Sequence, residues 1–122
     1  MKIISGFQTG ADIAGIKAAH DLSFETGGYI PKGFITERGS RPDYKDLYNA
    51  VEHSSPNYLG RTLKNVMSSD CTIIFDYMNS SGSKRTKVYC AKNNKPFLYL
   101  NSKSIDSSEV VDTIIAFINQ HD

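Results

Sequence analysis

Lys2-Ile3-Ile4-Ser5-Gly6-Phe7-Gln8-Thr9-Gly10-Ala11-Asp12 is the stretch whose reading decides the fold. Lys2–Ser5 reads as a short buried strand. Gly6 and Gly10 bound a turn, and the small residues after Gly10 begin a helix. A strand, a glycine-bounded turn and a helix N-terminus in that order hold anions well. The turn exposes backbone N–H groups, and the helix dipole adds partial positive charge. Gln8 and Thr9 add side-chain hydrogen bonds, and Asp12 stands ready to accept from a sugar hydroxyl or an amino group. The plain alternative is a βα turn that needs glycine only for its geometry.

Working outward, the spacing predicts a helix from about Gly10 to Leu22, with Ala11, Ala14, Gly15, Ala18, Ala19 and Leu22 on one small face. Ser23–Gly28 reads as a turn region, and Gly28-Tyr29-Ile30-Pro31-Lys32-Gly33 as a short strand ending in a loop that carries Lys32. Phe34–Asp46 mixes Gly39, Pro42 and charged residues and reads as a long irregular binding loop. Asp43–Tyr48 reads as a short helical turn, and Asn49–Glu52 stays open, with a short strand as one reading. Ser55-Pro56 predicts the next helix start. That helix runs to Ser68, with Leu59, Leu63, Val66 and Met67 as its core stripe and Tyr58, Arg61 and Asn65 on another face. Cys71–Phe75 is a continuous apolar run of the kind covered on both faces in parallel sheets. Asp76 stands at its carboxyl end, where open α/β sheets bind ligands.

A second strand–turn–helix unit follows. Asn79-Ser80-Ser81-Gly82-Ser83 is its turn, and a helix is expected from about Lys84 to Asn93 with Lys84, Arg85 and Thr86 in the first turn. Cations there oppose the helix dipole, which is easier to explain with an anion at the turn. Phe97–Leu100 is the next strand. Ser107–Gln120 is the last helix, with Val111, Ile114, Ile115 and Ile118 as its buried stripe. Alternating strands and helices predict an α/β domain, a mostly parallel sheet with helices on both faces. The turns Gly6–Gly10 and Asn79–Ser83 are expected to open into one crevice.

Bulk properties narrow the function. A chain of 122 residues with net charge +1 is expected to form one domain over 1–122, with no basic tract for nucleic acid. The absence of a signal segment and of an apolar run near 18 residues argues for a cytoplasmic protein and against a membrane span. Cys71 and Cys90 match no metal spacing and read as buried thiols. His20, His53 and His121 are scattered, so no metal site is expected. No Walker A loop, dinucleotide fingerprint or Gly-x-Ser-x-Gly elbow is present.

At this point the residues carry a resemblance. Ser5-Gly6-Phe7-Gln8-Thr9-Gly10-Ala11-Asp12 is similar to the SGGQTGAD opening of the circularly permuted YpsA-like proteins of the SLOG superfamily, a group also labelled molybdenum carrier proteins. Gly28–Gly33 resembles the GWxPKG of that family. Tyr48, Glu52, Ser55 and Tyr58 resemble Y-P-L-x-E-x-x-S-x-x-Y. Arg61-Thr62, Asn65-Val66, Ser69-Asp70 and Thr72–Phe75 resemble RT-x-x-NV-x-x-SD-x-TLIF. Ser81-Gly82-Ser83 with Thr86, then Ala91 and Lys95-Pro96, resemble GGT-x-x-T and A-x-x-x-x-KP. The similarity runs from Ile3 to Leu100.

The resemblance implies a single Rossmann-like domain for a phosphorylated ligand of nucleotide or pterin type. It implies either a carrier for the molybdenum cofactor or a sponge for an ADP-ribose-type signalling nucleotide, as in phage anti-defence, and a dimer or larger homo-oligomer. The departures are informative. Phe7 replaces the family's second glycine. Thr86 and Val88 stand where a catalytic glutamate is found in related phosphoribohydrolases and in the permuted family. The reading is therefore non-catalytic binding, with no catalytic residue assigned and nucleotide N-glycosidic hydrolysis as the alternative. The expected ligand-binding residues are Gly6, Phe7, Gln8, Thr9, Gly10, Asp12, Lys32, Tyr58, Arg61, Asn65, Asp76, Ser80, Ser81, Gly82, Ser83, Lys84, Arg85 and Thr86, with Phe7 or Tyr58 as a stacking surface.

Overall fold

The structure is a computed structural model that describes residues 1–55, 58–76, 80–101 and 107–121. Pro56 and Asn79 of the expected motifs, and the side chain of Tyr58, lie outside the described residues. The elements are β1 (Lys2–Ile4), α1 (Ala11–Asp21), β2 (Glu25–Ile30), β3 (Ile35–Thr36), β4 (Gly39–Ser40), α2 (Asp43–Tyr48), β5 (Ala50–Glu52), α3 (Tyr58–Met67), β6 (Thr72–Asp76), α4 (Ser81–Lys92), β7 (Phe97–Asn101) and α5 (Ser107–His121). The chain divides into two compact units, Met1–Asn65 and Val66–Asp122.

In the first unit β2 is central, with β1 and β5 parallel to it on either side. The core is Phe7, Ile16, Ile30, Tyr44 and Ala50, joined by Ile3, Ile13, Phe34 and Tyr48. This corrects the expected face of α1. The buried positions are Ile16 and Ala19 with Asp12 and Ile13 partly covered, whereas Ala11, Ala14, Gly15, Ala18 and Leu22 are exposed. Isoleucine removes more apolar surface from water than alanine, so the two isoleucines set the rotation of the helix. That rotation turns Asp12 toward the interior.

Strand β2 begins earlier than expected, at Glu25. Gly28 has φ 125°, and a Cβ there would stand 2.2 Å from the Ser5 carbonyl oxygen, so β1 leaves the sheet pressed against bare backbone. Beyond the last β1 rung, Asn65 takes over the pairing. Its Oδ1 accepts from the Tyr29 N–H at 2.8 Å and its Nδ2 donates to the Tyr29 carbonyl at 3.0 Å. Asn65 was expected to face a ligand; both ends of its amide instead extend the ladder of β2. The segment expected to be irregular contains the antiparallel β3–β4 hairpin, in which Ile35 pairs with Ser40.

In the second unit β6 and β7 are parallel over Thr72–Asp76 and Phe97–Asn101, with α4 on both and α5 on β7. The expected stripes of α3 and α5 shift as well. On α3, Leu63 and Met67 are exposed while Val66 is buried. On α5, Val111 and Ile115 are exposed, and Val110, Ile114, Phe117 and Ile118 are partly covered. Phe75, expected to be covered, is 46% exposed. Neither Cys71 nor Cys90 forms a disulfide; of the two thiols expected to be buried, Cys90 is buried and Cys71 only partly covered, and burial pushes the Cys90 thiol up.

Candidate ligand site

The Ser5–Asp12 turn is held by its own side chains. Ser5 Oγ accepts from the Phe7 N–H and donates to the Asp12 carbonyl, both at 3.2 Å. Gln8 N–H donates to Asp12 Oδ2 at 3.3 Å. Gly10, with φ 90°, is the N-cap of α1 and provides no side-chain cap. Phe7 is forced to φ 63°, a left-handed conformation that costs a non-glycine residue about 1–2 kcal/mol. Its ring is 1% exposed and lies 5.8 Å from the Tyr44 ring. The expected stacking role of Phe7 is corrected on that ground: core packing has absorbed the ring.

Gln8 is also buried, at 6% exposure. Its Nε2 donates to the Gly6 and Ile35 carbonyls, each at 3.1 Å. Those two acceptors fix the amide orientation. They also tie the turn to the β3–β4 hairpin, and the Gln8 Oε1 is left with no hydrogen-bond partner among the described residues.

Arg61 reaches the turn from α3. A Cβ on Gly6 would stand 1.8 Å from its Nη1 and 2.5 Å from its Cζ, so the guanidinium occupies the space that glycine leaves open. Its side chain is 12% exposed, and Nη1 is 3.8 Å from Asp12 Oδ2. Burial holds the Asp12 carboxyl above the ordinary aspartate range, against the pull of Arg61 and the Gln8 N–H; neighbouring Glu37 pushes it further up.

Glu37 is the residue that sequence reasoning missed. Its Oε2 accepts from the Thr9 N–H at 2.8 Å and from Thr9 Oγ1 at 2.9 Å. Burial raises its pKa, but the Thr9 bonds and the Arg61 charge outweigh that, and the carboxyl titrates below its ordinary value. A carboxylate thus occupies the donors expected to take an anion. Lys32, by contrast, is exposed, and its N–H donates to the Ser55 carbonyl.

The second turn is built differently from expectation. Ser80 is the N-cap of α4, and its Oγ accepts from the Ser83 N–H at 3.1 Å and donates to Ser83 Oγ at 2.9 Å. Capping starts the helix at Ser81, so Ser81, Gly82 and Ser83 lie inside it. Lys84 and Arg85, expected in the first turn, stand just past it and are exposed; Thr86 Oγ1 donates back to the Gly82 carbonyl. Asp76 is 3% exposed. Its Oδ1 accepts from the Ser80 N–H at 3.1 Å, and its Oδ2 from the Tyr99 hydroxyl at 2.5 Å. The expected role of Asp76 toward ribose or base is therefore corrected, because both oxygens fasten the turn to its own sheet. That hydrogen bond and burial raise the Tyr99 phenol.

A family model described as the Circularly permutated YpsA SLOG family matches residues 3–122. The chain belongs to that family. Among solved structures, this SLOG chain is similar to a protein of Syntrophus aciditrophicus SB named "Putative molybdenum carrier protein", whose crystal structure was determined at 1.45 Å. The two share 36% identity with a TM-score of 0.86, over 98% of this chain and 75% of the other. The fold is Rossmann-like α/β, as expected. A comparison with curated proteins returned no match. Among the described residues, no helix is long and apolar enough to cross a membrane.

Proposed function

We propose that this protein binds a small phosphorylated, nucleotide-derived ligand and holds it intact, as a carrier or a sequestering protein. The observation that carries the reading is the seat of Glu37: the Thr9 N–H and hydroxyl hold a carboxylate, with the Arg61 guanidinium close enough to lower its pKa. A phosphate oxygen has the same acceptor chemistry with more charge. The family match runs through both compact units, which supports one ligand-binding domain over 1–122.

Molybdenum cofactor fits as cargo through its phosphate, which the Gly6–Gly10 turn and Arg61 would hold. Among the described residues no three His, Cys, Asp or Glu side chains are grouped as metal ligands, so the metal itself would be held by the cofactor. An ADP-ribose-type nucleotide fits the same donors. Ser80–Ser83 with Lys84 and Arg85 remains a second candidate contact. A cytoplasmic homo-oligomer suits either role.

Native mass spectrometry of the purified protein tests the reading. A stoichiometric mass increment, released on denaturation as an intact phosphorylated compound, is expected. A bare protein that also ignores a panel of nucleotides and pterin phosphates overturns it.

One observation favours a second reading, hydrolysis of a nucleotide N-glycosidic bond. Asp12 and Glu37 accept from the consecutive Gln8 and Thr9 N–H groups, which sets two carboxyls side by side at the turn, and their pKa values are pushed in opposite directions, the pattern of an acid and a base. Release of free base from nucleoside monophosphates, lost in Asp12→Asn, would establish it.

A further inference from the structure

Beside the turn, on the side of α1, lies a cavity of about 240 Å³ whose lining includes Thr9, Lys17, Thr36, Arg38, Arg41 and Tyr44. Its lining holds three cations and no carboxylate. Arg41 is committed: it lies 4.4 Å over the Tyr44 ring and makes a two-pronged bond to Asp43 at 3.1 and 2.9 Å. Glu37, the other nearby acid, is bonded to Thr9. Lys17 and Arg38 make no ion pair among the described residues. They come from separate elements, one from mid-α1 and one from the β3–β4 connection, so no helical or strand repeat explains why both line one cavity.

Two like charges lining one concavity repel, and an anion between them would relieve that repulsion. Here the hairpin is held in place by the Gln8 bond to the Ile35 carbonyl and by the Thr36 hydroxyl. That hydroxyl donates to the Gly39 carbonyl at 2.8 Å and accepts from the Arg38 N–H at 3.1 Å. The backbone that carries Arg38 is thus fixed beside the cavity, and the cavity carries an excess of positive charge.

We propose that this cavity is a phosphate subsite, which binds a phosphomonoester dianion on Lys17 and Arg38. Resting on the reading of the turn, it makes the ligand one with two anionic groups, one at the turn and a terminal phosphate in the cavity. Arg41 and Tyr44 form a fixed wall that sets how far the phosphate enters.

The test is an amide NMR titration of the full chain with inorganic phosphate at pH 7.5. Saturable shifts at Lys17, Thr36 and Arg38 are expected. The Lys17→Gln, Arg38→Gln double variant, altered only at exposed side chains, should keep the wild-type spectrum elsewhere. It should weaken phosphate about tenfold or more, on the order expected for two lost charges near a surface. Arg38→Lys should restore most of the affinity. Shifts absent from these three residues, or unchanged affinity in the double variant, overturn the subsite. A protein that releases a bound phosphorylated ligand on denaturation but shows no phosphate shifts here keeps the turn reading and loses this one.

Discussion

Replacing Gly6 by alanine puts a methyl group where the Arg61 guanidinium lies. The new Cβ would be 1.8 Å from Nη1 and 2.5 Å from Cζ, with the contact at the far end of a flexible side chain. Arg61 must therefore swing away while the backbone stays. What is lost is the Arg61–Asp12 pairing at 3.8 Å, in which the arginine is 12% exposed and the aspartate 37%. Breaking a fully buried pair costs about 3–5 kcal/mol and a surface pair less than about 1 kcal/mol. For this half-screened pair we expect about 1–2 kcal/mol, or roughly 3–8 °C in Tm for a domain of this size. Asp12 loses its strongest charge-stabilising neighbour, so its pKa, already raised, should climb further. Arg61→Gln removes the same charge without the clash. Because both changes take the same guanidinium from the turn, the double variant should be no less stable than the worse single variant. Thermal unfolding of the four proteins, with Asp12 titrated by NMR, checks this. Fully additive losses, or a Gly6→Ala protein that is unchanged, would refute the argument.

Glu37→Gln should raise the affinity of the turn for anionic ligands several-fold by removing the seated carboxylate, while costing less than about 1 kcal/mol because Glu37 is largely exposed. Its folded pKa lies below 4.5, so its contribution is present above that pH and fades as pH falls through the folded value; Asp12, raised above 3.8, acts oppositely and weakens folding as pH rises. The stability gap between wild type and Glu37→Gln should thus open as pH rises through the folded value of Glu37 toward 4.5 in denaturant titrations. At position 7, where φ is 63°, Phe7→Gly should match or exceed Phe7→Ala in stability, the reverse of the usual order; both should fall about 3 kcal/mol or more below wild type in urea unfolding. Asp76→Ala should cost about 1–3 kcal/mol by stripping the Ser80 N–H of its acceptor, and spectrophotometric titration should find the Tyr99 phenol moved down toward about 10.

The strand–turn–helix at Ser5–Asp12 was legible because glycine and short side chains leave local marks, and so was the grouping of Arg61 with Asn65 on one helical face. The division of labour between those two was not, since it depends on where β1 leaves β2. The face of α1 was misread because alanines tolerate exposure at little cost, whereas Ile13 and Ile16 do not. The start of α4 was placed too late because three small polar residues look like a turn until Ser80 caps them. Glu37 was invisible for a different reason. It meets Thr9 across 28 residues, from a hairpin whose two-residue strands carry no readable alternation.

The seat of Glu37 also sets a threshold. A tethered carboxylate competes for the Thr9 donors at an effective concentration in the millimolar range or above. Chloride, acetate and the common organic acids of a cell meet that competitor at every encounter and gain little by replacing it. Only an anion with more charge, or with further contacts beyond the turn, displaces it at low concentration. On the proposed reading, the seated carboxylate makes the turn selective against singly charged anions.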